Sequence, residues 1–389
     1  MLYTLGGALL TPIVVACGSS PTGASPNDAN PKQKRVTQAR PKTQVLQSSS
    51  PTGSPQRTNF PITAVGISWT GAQRGIRIRF YDKSGATGAW EAVRPGCPCG
   101  KDAVDSAARA ENTFRAIVSG HDSFGYQIDA ASDVHLVNAV AIDAGILPGL
   151  AIAGPRESPQ QSAPPTKSGL DFPPANYLTR ADWGANESKR FEPDGRESSP
   201  TRFFPLQAVT VHHTVTANND RDPAATVRAI YELHTTGNKW GDIGYHFLID
   251  RVGRIYEGRW SGKDGVPAHD RNGNVVTAFH TAGFNSGNLG IALLGDFRTE
   301  TQTPAMSRSL TQLVASVARK HDLDPRAAIT YRNPLDGRRK RITTLAGHRD
   351  WIPTECPGAT AHEHLSNIRQ STARLLSGGR SQAATETAS

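Results

Sequence analysis

Two stretches of this chain cannot contribute to a hydrophobic core, and they decide what the remainder can fold into. Residues 18 to 59 are mostly Ser, Thr, Pro, Gln and Lys with almost no large apolar side chains. Such a tract buries too little surface to offset the entropy of ordering and reads as a disordered tether. Residues 146 to 175 carry Pro-Gly, Ala-Pro-Pro and Ser-Gln-Gln-Ser runs and read as a linker. A chain of 389 residues exceeds the usual single-domain size. The expectation is therefore two folded units, 60 to 145 and 176 to 376, with a disordered tail at 377 to 389.

The first unit shows period-two alternation. Val65, Ile67 and Trp69 alternate with smaller or polar residues, and Ile76, Ile78 and Phe80 alternate with Arg77 and Arg79 after a Gly-containing turn. Further strands are expected at 113 to 118, 125 to 128 and 134 to 142, giving a small all-β, sandwich-like domain. The second unit mixes periods. Strands are expected at 208 to 215, 243 to 250, 254 to 257 and 288 to 297. Asp222-Pro223 and Thr303-Pro304 supply an N-cap followed by proline in the first turn of two helices. Leu365, Ile368, Thr372 and Leu375 mark a third helix. Interleaved strands and helices predict an α/β fold with a mixed central sheet covered by helices.

At the N-terminus, residues 1 to 17 form a short apolar run ending in Val14-Val15-Ala16-Cys17. The run is the length of a signal-peptide core rather than a membrane span. Its end resembles the lipobox at which bacterial lipoproteins are cleaved and acylated, which implies lipidation of Cys17. The expected location is outside the cytoplasm, either lipid-anchored to the membrane or in the cell wall and extracellular space. A formal net charge of +9 favours polyanions. For an exported chain these are anionic wall polymers or lipid head groups; charge alone also admits nucleic acid, and none is expected. Cys97 and Cys99, in Pro-Gly-Cys-Pro-Cys-Gly, are too closely spaced for a zinc knuckle by themselves, and their pairing with each other stays open. That leaves Cys356 without an obvious partner, and metal coordination is one reason for a lone exported thiol to stay reduced.

Three separated contexts carry the chemistry: Val211-His212-His213-Thr214, Gly347-His348-Arg349-Asp350 and Thr354-Glu355-Cys356-Pro357-Gly358. His212, His348 and Cys356 together can offer two imidazoles and a thiolate to Zn²⁺, leaving a fourth position open as catalytic rather than structural sites do. Neighbouring residues of a strand point to opposite faces, so His212 and His213 cannot both enter one site. Asp350 reads equally well as a residue orienting a ligand histidine and as a surface partner of Arg349.

With Leu178-Thr179-Arg180-Ala181-Asp182-Trp183-Gly184-Ala185 and Asp242-Ile243-Gly244-Tyr245-His246-Phe247, this series resembles the type 2 N-acetylmuramoyl-L-alanine amidase and peptidoglycan recognition protein family. The resemblance covers residues 176 to 376 and implies an exported bacterial protein. It makes the first histidine of the pair, His212, the ligand, and it places the Tyr245 phenol facing the metal. Thr354 falls where family members carry Lys or Thr, so Tyr245 and Thr354 are the expected oxyanion donors. Asn285 would help hold substrate, while His280 is open between substrate contact, proton relay and packed histidine. Glu257 resembles a structural family position.

The function implied is zinc-dependent hydrolysis of the amide bond between N-acetylmuramic acid and L-alanine, with peptidoglycan and muropeptides as partners. The alternatives are a non-catalytic muramyl-peptide binder and a wall adhesin working through the β domain. A lysozyme-type glycosidase is not expected, since no paired-carboxylate constellation is evident.

Overall fold

The computed structural model describes residues 43–48, 53–96, 113–147, 150, 172–174, 176–263 and 266–386. Cys17, Cys97, Cys99, Asp264 and most of the tether and linker lie outside the described residues. The first region consists of β1 (Gln44–Ser48), β2 (Gln56–Gly71), β3 (Ile76–Tyr81), β4 (Glu91–Ala92), β5 (Phe114–Ala130) and β6 (Val134–Asp143). All its pairings are antiparallel, in the order β1-β6-β2-β5-β3-β4. β1 and the start of β2 fall inside the stretch expected to be a tether; Gln44–Ser48 has too few apolar residues to show an alternation, and pairs along the edge of β6.

The β region is all-β as expected, and its strands share one hydrogen-bonded sheet. The two segments expected around 113 to 128 form one strand, because His121 and Asp122, both left-handed (φ 52° and 56°), bend it without ending it. The pairing of β2 with β5 shifts register at this place, as a bulge does. One sheet face packs Ile62, Ile67, Trp69, Ile78, Tyr126 and Ile128 into a core. β6 is buried on both sides: Ala139 and Ala141 face that core, and Val140 and Ile142 face the second region.

The second region runs β7 (Tyr177–Leu178), α1 (Arg180–Trp183), β8 (Phe203–Phe204), β9 (Ala208–His213), α2 (Pro223–Glu232), β10 (Phe247–Ile249), β11 (Ile255–Glu257), β12 (Val275–Val276) and β13 (Asn288–Leu293). It continues with α3 (Pro304–Lys320), β14 (Ala328–Arg332), β15 (Arg339–Thr343), β16 (Leu345–Gly347), α4 (His348–Trp351) and α5 (Ala359–Glu386). The central sheet has the order β16-β9-β13-β10-β11-β7 and is mixed, only β10 and β11 being antiparallel neighbours.

Helices cover both sheet faces. Val209, Val211, Leu289 and Ile291 pack against Leu313 and Val317 of α3 and Leu365 and Ile368 of α5. Leu248 and Ala292 pack against Val227, Ile230 and Tyr231 of α2. The caps are those the sequence announces: Asp222 accepts from Ala225 N at 3.0 Å and Thr303 from Met306 N at 3.1 Å, each before a proline at the first turn. α5 continues over residues 377 to 386, expected to be tail. That segment, Ser-Gly-Gly-Arg-Ser-Gln-Ala-Ala-Thr-Glu, has no apolar periodicity, so the pattern does not reveal this part of the helix.

The two regions meet along α2, where Ala225, Ala229 and Leu233 pack on Ala64, Val140 and Ile142. Gly66 lies so close to Leu233 that a Cβ there would stand 2.3 Å from its Cδ1. The buried Arg228 guanidinium donates to Ala144 O at 2.6 Å and Gly145 O at 2.7 Å, and to Trp183 O at 3.0 Å. No helix among the described residues is long and apolar enough to cross a membrane.

Candidate metal centre

β9 delivers the first side chain. His212 shares the α2-facing side of the strand with Thr210, and both are fully buried. His213 points the other way, its Nδ1 accepting from Phe297 N at 3.2 Å. The strand's alternation thus separates a ligand candidate from a packing histidine.

The adjacent parallel strand β16 delivers the second. His348 is the first residue of α4, whose start is fixed by Asp350 accepting from Gly347 N at 2.8 Å. The other Asp350 oxygen is 2.8 Å from His362 Nε2, so Asp350 braces the turn that carries His348 rather than pairing with Arg349. Arg349 instead ties down the loop bearing the third side chain, through Arg349 N to Cys356 O at 2.8 Å and its guanidinium to Glu355 O. Within that loop Cys356 N donates to Thr354 Oγ1 at 3.2 Å. Gly358 (φ 93°) crosses Phe297 so closely that a Cβ would lie 2.2 Å from its carbonyl, which demands glycine.

These elements bring ligand atoms of His212, His348 and Cys356 all within 4.8 Å of one another, the one such group of three or more among the described residues. Cys356 Sγ is 3.6 Å from His212 Nδ1, and the two histidine rings are 4.6 Å apart. All three side chains are buried. Burial holds His212 well below the ordinary imidazole range, assisted by His348 and His280, and brings His348 to about 3. Burial pushes the Cys356 thiol up to about 12. The imidazoles are therefore neutral with lone pairs to offer, and the thiol loses its proton only to a cation. Two nitrogens and one sulfur from a buried, closely converging set suit a borderline-soft divalent ion, zinc first.

A hydrogen-bond chain fixes which His212 nitrogen faces inward. His280 Nε2 is 3.0 Å from Asn288 O and can only donate there, so His280 Nδ1 is an acceptor. His212 Nε2 lies 3.0 Å from that Nδ1 and must donate to it. The His212 lone pair is thereby placed on Nδ1, the atom nearest Cys356. Thr281 Oγ1 also lies 2.9 Å from His280 Nδ1. Gly290 makes room for this arrangement, since a Cβ there would stand 2.5 Å from His280 Cγ.

His280 and Asn285, expected among the substrate contacts, are both fully buried. His280 backs His212, and Asn285 Oδ1 accepts from Thr281 N at 2.7 Å, bracing the same turn; neither presents a surface to a substrate. Asn288 and Gly290 were not foreseen, because nothing near them in sequence marks a carbonyl acceptor or a space for a ring.

The Tyr245 ring is 5.5 Å from that of His212 and is almost completely buried. Burial first, and Cys356 second, hold its phenol well above the usual range, so it remains a proton donor. Tyr245 was expected on a strand, but β10 begins only at Phe247. The backbone before it is held by Asp242, which accepts from Ile243 N at 2.8 Å and Trp260 N at 2.9 Å. Asp242 also pairs with the buried guanidinia of Arg180 at 3.0 Å and Arg259 at 3.3 Å. Glu257 accepts from Arg180 N at 3.0 Å, a structural role. A small cavity beside Tyr245 is lined by Thr214, His234 and Trp240 and, from the β region, by Gly96, Arg115 and Ile117.

An α/β domain with a mixed sheet and a buried His-His-Cys cluster at the ends of parallel strands is thus what the chain builds. Residues 202–359 match the family model described as N-acetylmuramoyl-L-alanine amidase. The chain is 30% identical over 196 residues to peptidoglycan-recognition protein LB of Drosophila melanogaster, covering 50% of this chain and 68% of that protein. It is 32% identical over 163 residues to human N-acetylmuramoyl-L-alanine amidase, covering 40% of this chain and 23% of that protein. A solved structure of wild-type Drosophila PGRP-LB aligns at 28% identity with a TM-score of 0.35, over 49% of this chain and 92% of that one. The chain belongs to the family of N-acetylmuramoyl-L-alanine amidases and peptidoglycan-recognition proteins.

Proposed function

We propose that this protein is a zinc-dependent N-acetylmuramoyl-L-alanine amidase that releases the stem peptide from peptidoglycan. The observation that carries the reading is the buried convergence of His212, His348 and Cys356 within 4.8 Å, with Tyr245 5.5 Å from the His212 ring. The amide substrate is drawn from the name borne by the human relative.

His212 Nδ1, a His348 ring nitrogen and the Cys356 thiolate would hold the ion. When bound, zinc supplies Lewis acidity toward the scissile carbonyl and lowers the pKa of water to about 7. The protein's own share is placement and charge. The Tyr245 hydroxyl keeps its proton and donates to the carbonyl oxygen as negative charge develops on it. Thr354, half-buried and hydrogen-bonded to Cys356 N, orders the thiolate loop and offers a second, neutral donor. The Asn288–His280–His212 chain keeps the ligand imidazole in one tautomer. Export with a lipid on Cys17 belongs to the same reading, and an intact Met1 or an unacylated Cys17 in the mature protein's mass would count against it.

The test is to incubate the purified protein with muropeptides, with and without chelator, and identify products by mass. Free stem peptide formed only without chelator supports the amidase. Muropeptide binding with zinc present and no peptide released would instead establish a recognition protein.

A further inference from the structure

β14 and β15 form a two-stranded ribbon that stands apart from the central sheet. Its inner face packs Ile329, Tyr331 and Ile342 with Phe284 and Trp351, the latter at the end of the turn that begins with His348, and also carries Lys340, the cross-strand partner of Tyr331. Its outer face is the alternate set, Ala328, Thr330 and Arg332 on one strand and Arg339, Arg341 and Thr343 on the other. The three arginines on it are all exposed.

Arg332 and Arg339 are direct cross-strand partners, an arrangement in which like charges destabilise a sheet. No acidic residue shares the face. Arg326 and Arg338, at the margins, are each matched by a carboxylate, Asp324 at 3.0 Å and Asp336 at 3.5 Å. Among the described residues, the side chains of Arg332, Arg339 and Arg341 make no ion pair. Three exposed guanidinia thus share one ribbon face with no carboxylate among them, and an external anion can relieve their mutual repulsion.

We propose that this face binds a soluble phosphodiester-linked polyanion. Arginine suits phosphate because its planar fork can donate two parallel hydrogen bonds. Arg339 and Arg341 lie two residues apart on one edge, about 6.8 Å, comparable to the repeat of an extended short-polyol phosphodiester. The face carries no aromatic side chain on which a base could stack, the usual platform for single-stranded nucleic acid. It carries no large apolar residue to enter a lipid interface, which surface-bound elements employ. A polymer recognised through its phosphates alone fits what remains. The ribbon's contact with Trp351 places such a tether beside the metal centre without using any of its residues.

The experiment is calorimetric binding of the full-length, zinc-loaded protein to poly(glycerol phosphate). The proposal expects Arg332→Gln/Arg339→Gln/Arg341→Gln to weaken binding at least tenfold. It also expects affinity of the parent protein to fall roughly 20-fold to 40-fold between 50 and 200 mM salt, as about three phosphate contacts imply. The triple lysine variant, which keeps the charge and loses the planar fork, should bind between the parent and the glutamine variant, and Arg196→Gln, which removes an exposed charge elsewhere, should change nothing. Zinc content and turnover of a small soluble muropeptide should be the same in all variants, so loss of binding is separable from any failure of the amidase reading. Unchanged polymer affinity in the triple glutamine variant would overturn the proposal. So would tighter binding through these arginines to phosphatidylglycerol vesicles, to an oligonucleotide or to polyglutamate of equal charge.

Discussion

His212 Nε2 lies 3.0 Å from His280 Nδ1, and that contact decides which nitrogen of His212 is left to face Cys356. The decision originates at Asn288 O, 3.0 Å from the far side of the His280 ring. Removing the acceptor should free the His212 tautomer. His280→Phe is expected to weaken zinc binding about 10-fold to 100-fold, the usual effect of losing a partner behind a ligand. His280→Gln, which can still accept, should recover part of it. Competition with a chromophoric chelator measures the affinity, and ¹⁵N shifts of His212 in the metal-free protein report the tautomer. An unchanged Nε2–H signal in the Phe variant would refute the positioning role.

Cys356→Ser should abolish most zinc loading, because an alcohol does not give up its proton to become a ligand as a thiol does. The serine is nearly isosteric, so the thermal midpoint of the metal-free protein should move little. His213→Ala is the contrasting change. It leaves Phe297 N without its acceptor and should cost about 1–3 kcal/mol of stability while the cluster still loads metal. Full zinc occupancy in the serine variant, by elemental analysis after dialysis, would remove Cys356 from the ligand set.

Tyr245→Phe is expected to reduce turnover about 100-fold to 1000-fold, the range for deleting one oxyanion donor. Zinc content and muropeptide affinity should be preserved, since the ring still fills its place between His212 and His234. Wild-type turnover in this variant would exclude the phenol from the reaction.

The local signals in the sequence were read correctly where a residue's neighbours determine its place. Alternation along β9 separated His212 from His213, and the Asp222-Pro223 and Thr303-Pro304 caps start the helices observed. What escaped depends on partners distant in sequence. Arg180 and Arg259 reach Asp242 across 62 and 17 residues, and this pairing, not a strand, shapes the backbone before Tyr245. His280 was left open between substrate contact, proton relay and packed histidine, and the structure buries it fully, behind His212. The interruption between 118 and 125 proved to be a bend within β5, where His121 and Asp122 are left-handed, which the side-chain pattern does not encode.

Stability should fall with acid through histidines outside the metal cluster. Burial brings His234 to about 3 and His269 to about 4, against about 6.5 in an unfolded chain. Below pH 6.5 the unfolded state takes up protons that the folded state refuses, so each group withdraws about 1.4 kcal/mol per pH unit until its folded pKa is reached. Above pH 6.5 neither contributes. His234→Gln should therefore flatten the decline of the urea midpoint between pH 6.5 and 4. An equally steep decline in that variant would show that His234 titrates normally.

Arg228 joins the β region to the second region through three carbonyls, those of Ala144, Gly145 and Trp183, each within 3.0 Å. The side chain is 1% exposed, so water cannot readily replace it. Arg228→Leu keeps the volume and strips the donors, and a buried group left unpaired costs about 1–3 kcal/mol. The variant is expected to lose roughly 3 kcal/mol or more, a loss at the junction of the two regions, where the apolar contacts of Leu233 with Val140 and Ile142 remain. Calorimetry is then expected to resolve two transitions where the parent protein is expected to show one, with the sheet of β1 to β6 melting first because its second face keeps only the apolar contact. Zinc affinity should be unaffected, for none of the three metal-facing side chains touches Arg228. A single transition at the parental temperature would mean that the apolar contact alone holds the regions together.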